Sequence, residues 1–439
     1  MPASLARRGA TVAPRCENPG VPRNPYLDVL RVPGAAQFSA AGVIARLPMS
    51  MVGISTVLMV QTLYGSYAMA GRVSAVLVVA QALVSPQIAR VVDRIGQARV
   101  MTPLLVGTTV GLLGLVAAAV AGAPEWVLWV LAAVGGATQG SYGSLVRARW
   151  SYQLGDATRL HTAYSLEAAL DELVFIVGPV VATTLATTVA PAGGLLVAAV
   201  VGGGGAAWFL TQRRTEPPAG RVAVPPDGEH VGTVPHPDAL AVRNRSAIRM
   251  PGMPVLAVVF VAMGVMFGSS DVATVAFAEE QGVKGLAGLV LACFALGSMI
   301  SGLGYGARHW VSPLSTRFTI GACGIAVGVS LFFLVSHMAV LAAVMFVAGF
   351  AIAPTLINGN ALVQALVAPH QLTEGLTWVG TSLGVGVSLG SWLAGVAVDA
   401  ASAHAGFLVT MSGGWLCAIL ALAALPGMRN RRPYAATTH

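Results

Sequence analysis

The sequence predicts an all-α membrane protein: twelve transmembrane helices in two pseudo-symmetric six-helix bundles. Three observations carry that expectation. Apolar residues make up 56% of the 439, charged residues only 10%, and the mean hydropathy is +0.75. A soluble domain carries about 25% charged residues, so most of this surface faces something other than water. Apolar runs of roughly 20 residues recur, the length that crosses a bilayer core about 30 Å thick. Third, the basic residues fall on one side once those runs are counted as spans.

The runs are taken in order. Spans 1 to 6 lie near 36–60, 71–91, 100–121, 125–147, 162–186 and 191–212. Spans 7 to 12 lie near 253–276, 284–306, 315–335, 338–361, 372–396 and 402–425. With a cytoplasmic N-terminus, the inside segments hold Arg7, Arg8, Arg15, Arg23, Arg31, Arg90, Arg94, Arg99, Arg147, Arg149 and Arg159. They also hold Arg213, Arg214, Arg221, Arg243, Arg245, Arg249, Arg308, Arg317, Arg429, Arg431 and Arg432. Arg72 and Lys284 fall outside, and Arg46 lies within span 1. Thus 22 of 25 basic residues share one face, as the positive-inside rule requires of the cytoplasm. A miscount by one helix would scramble this asymmetry.

Residues 1–35 are polar, rich in Pro and Arg, and read as a cytoplasmic tail rather than a cleaved signal. Residues 36–212 form the first bundle. Residues 213–251 are a hydrophilic, proline-rich linker, residues 252–426 the second bundle, and residues 427–439 a cytoplasmic C-terminal tail. The halves repeat at an offset of 212 residues. Residues 159–165 fall on 371–377, 89–94 fall on 301–306, and Gly178 falls on Gly390. Duplicated halves place a substrate site near the midplane, between bodies that rock against each other.

Ionisable groups inside the apolar core are functional candidates because burying them is costly. Arg46 lies about ten residues into span 1, roughly 15 Å from its cytoplasmic end. Asp171 and Glu172 lie at similar depth in span 5, and Glu167, four residues earlier, shares a face with Asp171. The expectation is that Arg46 pairs with Asp171 or Glu172. One arginine cannot neutralise three carboxylates, so a surplus acid is left as the candidate for ion coupling. A purely structural pair between spans 1 and 5 is the alternative. Asp271 in span 7 either lines the cavity or reaches the outer interface. Asn358 in span 10 serves either as interhelical glue or as a polar contact to solute.

The stretch Ala89-Arg-Val-Val-Asp93-Arg94-Ile-Gly96-Gln-Ala-Arg99 resembles the signature of the major facilitator superfamily. That signature joins helices 2 and 3 and reads Gly-x-Leu-Ala-Asp-Arg-x-Gly-Arg-Lys/Arg. Asp93, Arg94 and Gly96 match in place, Ala89 and Gln97 depart, and Arg99 is the remaining base of the tail. The match falls after span 2 on the expected cytoplasmic side. The architectural resemblance covers roughly residues 36–427. It implies a latch in which the Asp93 carboxylate meets the N-terminus of span 11, near Thr373, in one orientation of the halves. A helix start exposes unpaired amides and partial positive charge.

Two further family patterns are partial. Gln139-Gly140 remain of the Arg-x-x-Gln-Gly of drug and proton antiporters, with Gly136 in the arginine slot. Gly178-Pro179 remain of the Gly-Pro element in span 5 of exporters, where Pro179 removes a backbone hydrogen bond. These fragments favour export.

The implied function is secondary active transport of a small, moderately hydrophobic solute by alternating access, as proton-coupled export. Uptake of a metabolite or sugar, or a transporter-like sensor without flux, are the alternatives. An enzyme is not expected. The eight histidines stand singly, and Cys16, Cys293, Cys323 and Cys417 are scattered, so neither a metal site nor a disulfide framework is indicated. No cofactor and no nucleic acid are expected. The partners are the small-molecule substrate, protons and the lipid bilayer. The expected location is the inner or plasma membrane, as a multi-pass monomer with both termini cytoplasmic.

Overall fold

The computed structural model describes residues 24–219, 246–283, 286–308 and 310–429. Every regular element among them is helical. The first half contains α1 (Pro25–Leu30), α2 (Ala35–Tyr64), α3 (Tyr67–Ile95) and α4 (Gln97–Val120). It continues with α5 (Glu125–Thr138), α6 (Tyr142–Gln153), α7 (Ala157–Thr188) and α8 (Gly193–Thr211). The second half contains α9 (Met253–Glu280), α10 (Ala287–Gly306), α11 (Leu314–Ser330) and α12 (Met338–Gly349). It ends with α13 (Ile352–Leu366), α14 (Leu372–Ala400) and α15 (Ala403–Arg429). Arg7, Arg8, Arg15, Arg23, Arg221, Arg243, Arg245, Lys284, Arg431 and Arg432 lie outside the described residues, as do Cys16, His230, His236, His309 and His439.

Eleven helical segments among the described residues are long and apolar enough to cross a membrane. The expected fourth span differs. It divides into α5, 14 residues, and α6, 12 residues, with Gln139–Ser141 between them. Glycines drive the break. A Cβ on Gly136 would stand 2.1 Å from the Leu77 carbonyl oxygen, and one on Gly140 would stand 2.0 Å from the Met101 methyl. The chain therefore presses bare backbone against α3 and α4 where a glycine-rich helix is already weak. The expected tenth span also breaks, between α12 and α13. Pro354 has no N–H for the Phe350 carbonyl and its ring crowds that oxygen, so the helix restarts at Ile352. Pro179, by contrast, is accommodated within a continuous α7.

Three sets of buried side chains organise the halves. In the second half, Phe260, Met263, Met266, Phe318, Phe332, Met345 and Phe407 belong to one continuous apolar core. The first half has two cores, one around Phe38, Met101, Trp150 and Phe209, the other around Met51, Met59, Leu115 and Leu195. Close helix pairs depend on small residues, which bring backbones together where no water exists to drive association. The α9–α14 pair is reciprocal. Cβ atoms on Gly264 and Gly268 would meet the carbonyls of Leu383 and Val387, and those on Gly386 and Gly390 would meet Val261 and Val265, all at 2.0–2.1 Å. Outward faces carry exposed apolar residues such as Val79, Leu83, Val106, Val180, Leu289 and Val396, the surface that lipid covers.

The expected tail and linker are partly structured. Asn24 caps α1 through its side chain, Pro25 sits in the first turn, and Val29 is buried. At the linker's start Thr215 is buried and Glu216 accepts a bond from the Ala98 amide at 2.9 Å, capping α4. At its end Ala247 joins the second-half core.

Candidate functional site

The charges expected near the midplane form one network between α2, α6 and α7. Arg46 stands 11 residues, about 16 Å, into α2. Its Nη2 lies 2.5 Å from Glu167 Oε2 and its Nη1 lies 2.7 Å from Asp171 Oδ1. Its Nε donates to the Gly42 carbonyl at 3.1 Å. Glu167 also accepts from the Ser39 hydroxyl at 2.7 Å and the Trp150 indole at 2.8 Å. Three donor contacts on the two oxygens of one carboxylate match what a buried acid needs. Glu167 is fully buried, whereas the Asp171 side chain retains 21% exposure.

A second guanidinium completes the network. Arg147 Nη2 lies 2.7 Å from Asp171 Oδ2. Counting span ends by hydropathy assigns Arg147 to the cytoplasmic face, since an apolar run is closed at its first charge. The break at Gln139–Ser141 carries α6 and Arg147 in against α7 instead. Ser39 and Trp150 also escape a reading that looks only for charges.

Of the two expected partners of Arg46, the structure pairs it with Asp171 and not with Glu172, and it adds Glu167. Adjacent residues on a helix point about 100° apart, so Asp171 and Glu172 cannot both face α2. Two guanidinium groups meet two carboxylates, and Glu172 is left over. It turns to the other half of the chain, where the buried Ser298 hydroxyl of α10 donates to it at 2.6 Å.

The expected latch residues separate into two groups. Asp93 Oδ2 accepts from the Glu374 amide at 2.8 Å and Oδ1 from the Thr373 amide at 3.3 Å. These are the first-turn amides of α14, which has no side-chain cap from its own chain neighbours. Glu374 in turn accepts from the Ser246 hydroxyl and lies 3.9 Å from Arg90 Nε. Gly96 holds φ +109°, ψ 151°, a region closed to L side chains. A Cβ there would also stand 3.1 Å from the capping Glu216 oxygen. Arg94 and Arg99 are exposed and do not join Asp93.

Behind that loop lies a buried arginine the sequence reading counted as cytoplasmic. Arg149 donates to Gln97 Oε1 at 2.8 Å, the Gln212 carbonyl at 3.0 Å and the Thr215 hydroxyl at 2.9 Å. Its guanidinium stacks 3.8 Å over the Phe209 ring. It therefore ties α4, α6, α8 and the start of the linker together.

The remaining candidates are dispersed. A Cβ on Gly178 would stand 1.9 Å from the Ser50 hydroxyl, which donates to the Val174 carbonyl at 2.9 Å; this is close α2–α7 packing. Asn358 is buried, its amide donating to the Tyr305 hydroxyl and the Pro354 carbonyl, both at 2.8 Å. One bond joins α13 to α10 and the other stays within α13. Asp271 is exposed. On its helix face it stands between Gly268, which packs on α14, and Phe267, whose ring lies 6.3 Å from Phe294 of α10.

Bridges between the halves gather at the arginine-bearing end. Besides Asp93 on α14, the Gln364 amide donates to the Ser151 hydroxyl at 3.0 Å and the Thr162 hydroxyl to the Gly306 carbonyl at 2.8 Å. Ala353 and Ile357 of α13 lie in a first-half core. Farther along α14, by contrast, Gly380 and Gly384 face open space.

A sequence profile described as the Major Facilitator Superfamily matches residues 38–336. No curated protein matches the sequence. Among solved structures, the human organic anion transporter MFSD10 (TETRAN) superposes with a TM-score of 0.65 at 12% identity, covering 91% of this chain and 100% of that one. A bacterial homologue of the iron transporter ferroportin, in an outward-facing state, gives 0.67 at 12% identity over 90% of this chain and 99% of that one. The transporter FucP in the outward conformation gives 0.67 at 11% identity over 91% and 99%. At such identities the likeness speaks to the fold.

Proposed function

The chain belongs to the major facilitator superfamily, and on that premise we propose that it exports a small organic solute by alternating access, driven by inward proton movement. It spans the cell membrane twelve times, with α5 and α6 together forming span 4 and α12 and α13 together forming span 10. Residues 36–212 and 252–426 are the two rocking bundles, residues 213–251 the linker, and both termini and the arginine-rich end are cytoplasmic. The monomer is the working unit. In this state the cytoplasmic end is closed and the opposite end open.

One observation carries the coupling. Glu172 is the acid left over when Arg46 and Arg147 have neutralised Glu167 and Asp171, and it alone of these five groups bonds across the halves. An ionised carboxylate without a cation is costly to enclose. Taking up a proton from the open side removes the charge before the halves close over it, and reopening to the cytoplasm releases it. Arg46, Glu167, Asp171 and Arg147 keep α2, α6 and α7 together through the cycle. Asp93 on the α14 amides stabilises the cytoplasm-closed state, and Gly96 shapes the turn that presents it. Asp271 lines the open side, where the solute leaves. Gly178 lets α7 pack closely on α2 within the unit of α2, α6 and α7, and Pro179 leaves α7 able to bend beyond it.

Purified protein in liposomes, with an imposed pH gradient and a panel of moderately hydrophobic compounds, tests this reading. Gradient-dependent movement of at least one compound is expected. Movement that is equally fast with the gradient collapsed would overturn proton coupling, and absence of flux for all compounds would favour a sensor.

A further inference from the structure

The 212-residue repeat relates two sets of contacts at the closed end, residue by residue. Asp93 and Arg94 fall on Tyr305 and Gly306, and Thr373 and Glu374 fall on His161 and Thr162. In the first set Asp93 of α3 takes the amides of Thr373 and Glu374 at the start of α14. In the second set the equivalent positions meet with the same sense of donation but with the halves exchanged, the second half now supplying the acceptors. The Thr162 hydroxyl, at the start of α7, donates to the Gly306 carbonyl at 2.8 Å, and the His161 Nε2 lies 3.4 Å from the Tyr305 carbonyl. The acceptors are now main-chain oxygens at the C-terminal end of α10, which a helix leaves without intrahelical partners.

This second set includes a residue from outside the repeat. The Tyr26 hydroxyl of α1 donates to the Leu303 carbonyl, one turn back along α10. The six-residue α1 is itself fastened to the first half: Val29 is buried in its core, and Arg159 Nη2 lies 3.3 Å from the Asp28 carbonyl. Tyr26 thus reaches from the first half to the second. The fit is close, since a Cβ on Gly306 would stand 2.1 Å from Ser165 Cβ and 2.9 Å from the Tyr26 oxygen. Burial pushes the Tyr26 phenol up to about 12, so the hydroxyl keeps its proton as a donor.

We propose that the C-terminal end of α10 is a second latch of the closed state, in which Thr162 and Tyr26 are positioning residues and the segment ahead of the first span takes part in gating. It needs no carboxylate, and it opens only when the α10 carbonyls part from α7 and α1 together. This proposal rests on the alternating-access reading above, because a latch has meaning only if this end opens.

The test is a distance measurement by pulsed electron resonance on spin labels at Ala157→Cys and Ala307→Cys, both exposed positions, in a chain whose native cysteines are replaced. Tyr26→Phe and Thr162→Val each remove one hydroxyl and little volume. Each is expected to raise the ratio of separated to closed molecules about fivefold, the factor that one net hydrogen bond of about 1 kcal/mol supplies, with thermal stability retained. Asp93→Asn serves as the independent arm. A shift with Asp93→Asn but none with Tyr26→Phe or Thr162→Val would overturn the second latch and leave alternating access standing. No shift with any of the three would overturn both.

Discussion

Replacing Glu167 with Gln separates the structural acid from the coupling acid. Glu167 is fully buried, and Arg46 beside it is 2% exposed. Arg46 and Arg147 are balanced by Glu167 and Asp171, so Glu167→Gln leaves one guanidinium in excess within the membrane. Unit charges about 4 Å apart attract by about 4 kcal/mol at an effective dielectric near 20. Mutational experience with one partner of a buried pair removed gives about 3–5 kcal/mol. The new amide nitrogen also has to face either Arg46 or the Trp150 indole, both of which can only donate. Glu172→Gln is the internal control: it removes no ion pair, and its Ser298 bond is worth about 1 kcal/mol. Thermal unfolding in detergent, followed by tryptophan fluorescence and by the monodisperse fraction on a sizing column, should show a loss of several degrees for Glu167→Gln. Glu172→Gln should stay within about two degrees of the parent. Equal stability of the two variants would refute the assignment of the neutralised and surplus acids.

Three other outcomes follow from the same contacts. Asp93→Asn turns one of the two oxygens that accept from the α14 amides into an NH2 donor, so one bond of about 1 kcal/mol is lost and a donor is set against a donor; alkylation of a cysteine introduced at Ser151 should accelerate about fivefold or more, and an unchanged rate would count against the latch. Gly390→Leu should prevent accumulation of folded protein, because its Cβ would already stand 2.1 Å from the Val265 carbonyl; folded protein at parental yield would show that α9 and α14 are not so close. The Tyr26→Phe effect on gating should be constant between pH 6 and 9. The folded-state value near 12 lies above the ordinary phenol value of 10, so the hydroxyl's contribution is complete below about pH 10 and fades only as the pH rises through 12; a midpoint near neutrality would contradict this.

Much of this arrangement was legible in the sequence because membranes impose simple constraints. Apolar length marks where helices cross, and arginine placement marks the side on which loops fall. The meeting of Asp93 with the start of α14 was legible through the resemblance of Asp93-Arg94-x-Gly96 to the family's loop, and a helix N-terminus on the same face gives it a physical reason. The face shared by Glu167 and Asp171 was visible in their spacing. The partner of Arg46 was not, because depth alone does not say which of two adjacent acids points toward a given helix. Arg147 was concealed for a different reason. Its place depends on the break after Thr138, and that break depends on Gly136 and Gly140 meeting Leu77 and Met101, which are distant in sequence. Helix α1 gave no periodic signal in six residues, and its docking depends on the Leu303 carbonyl near the end of α10, which is distant in sequence.

The most direct test of the account's central claim compares two modes of transport in Glu172→Gln reconstituted into liposomes. Exchange of labelled for unlabelled solute needs only that the loaded carrier reorient, whereas accumulation against a gradient needs the proton. Glu172→Gln, with its acid replaced by a permanently neutral amide, is predicted to exchange solute at a rate near the parent's while losing accumulation driven by the pH gradient. Accumulation retained at the parental level would contradict the assignment of Glu172 as the coupling acid.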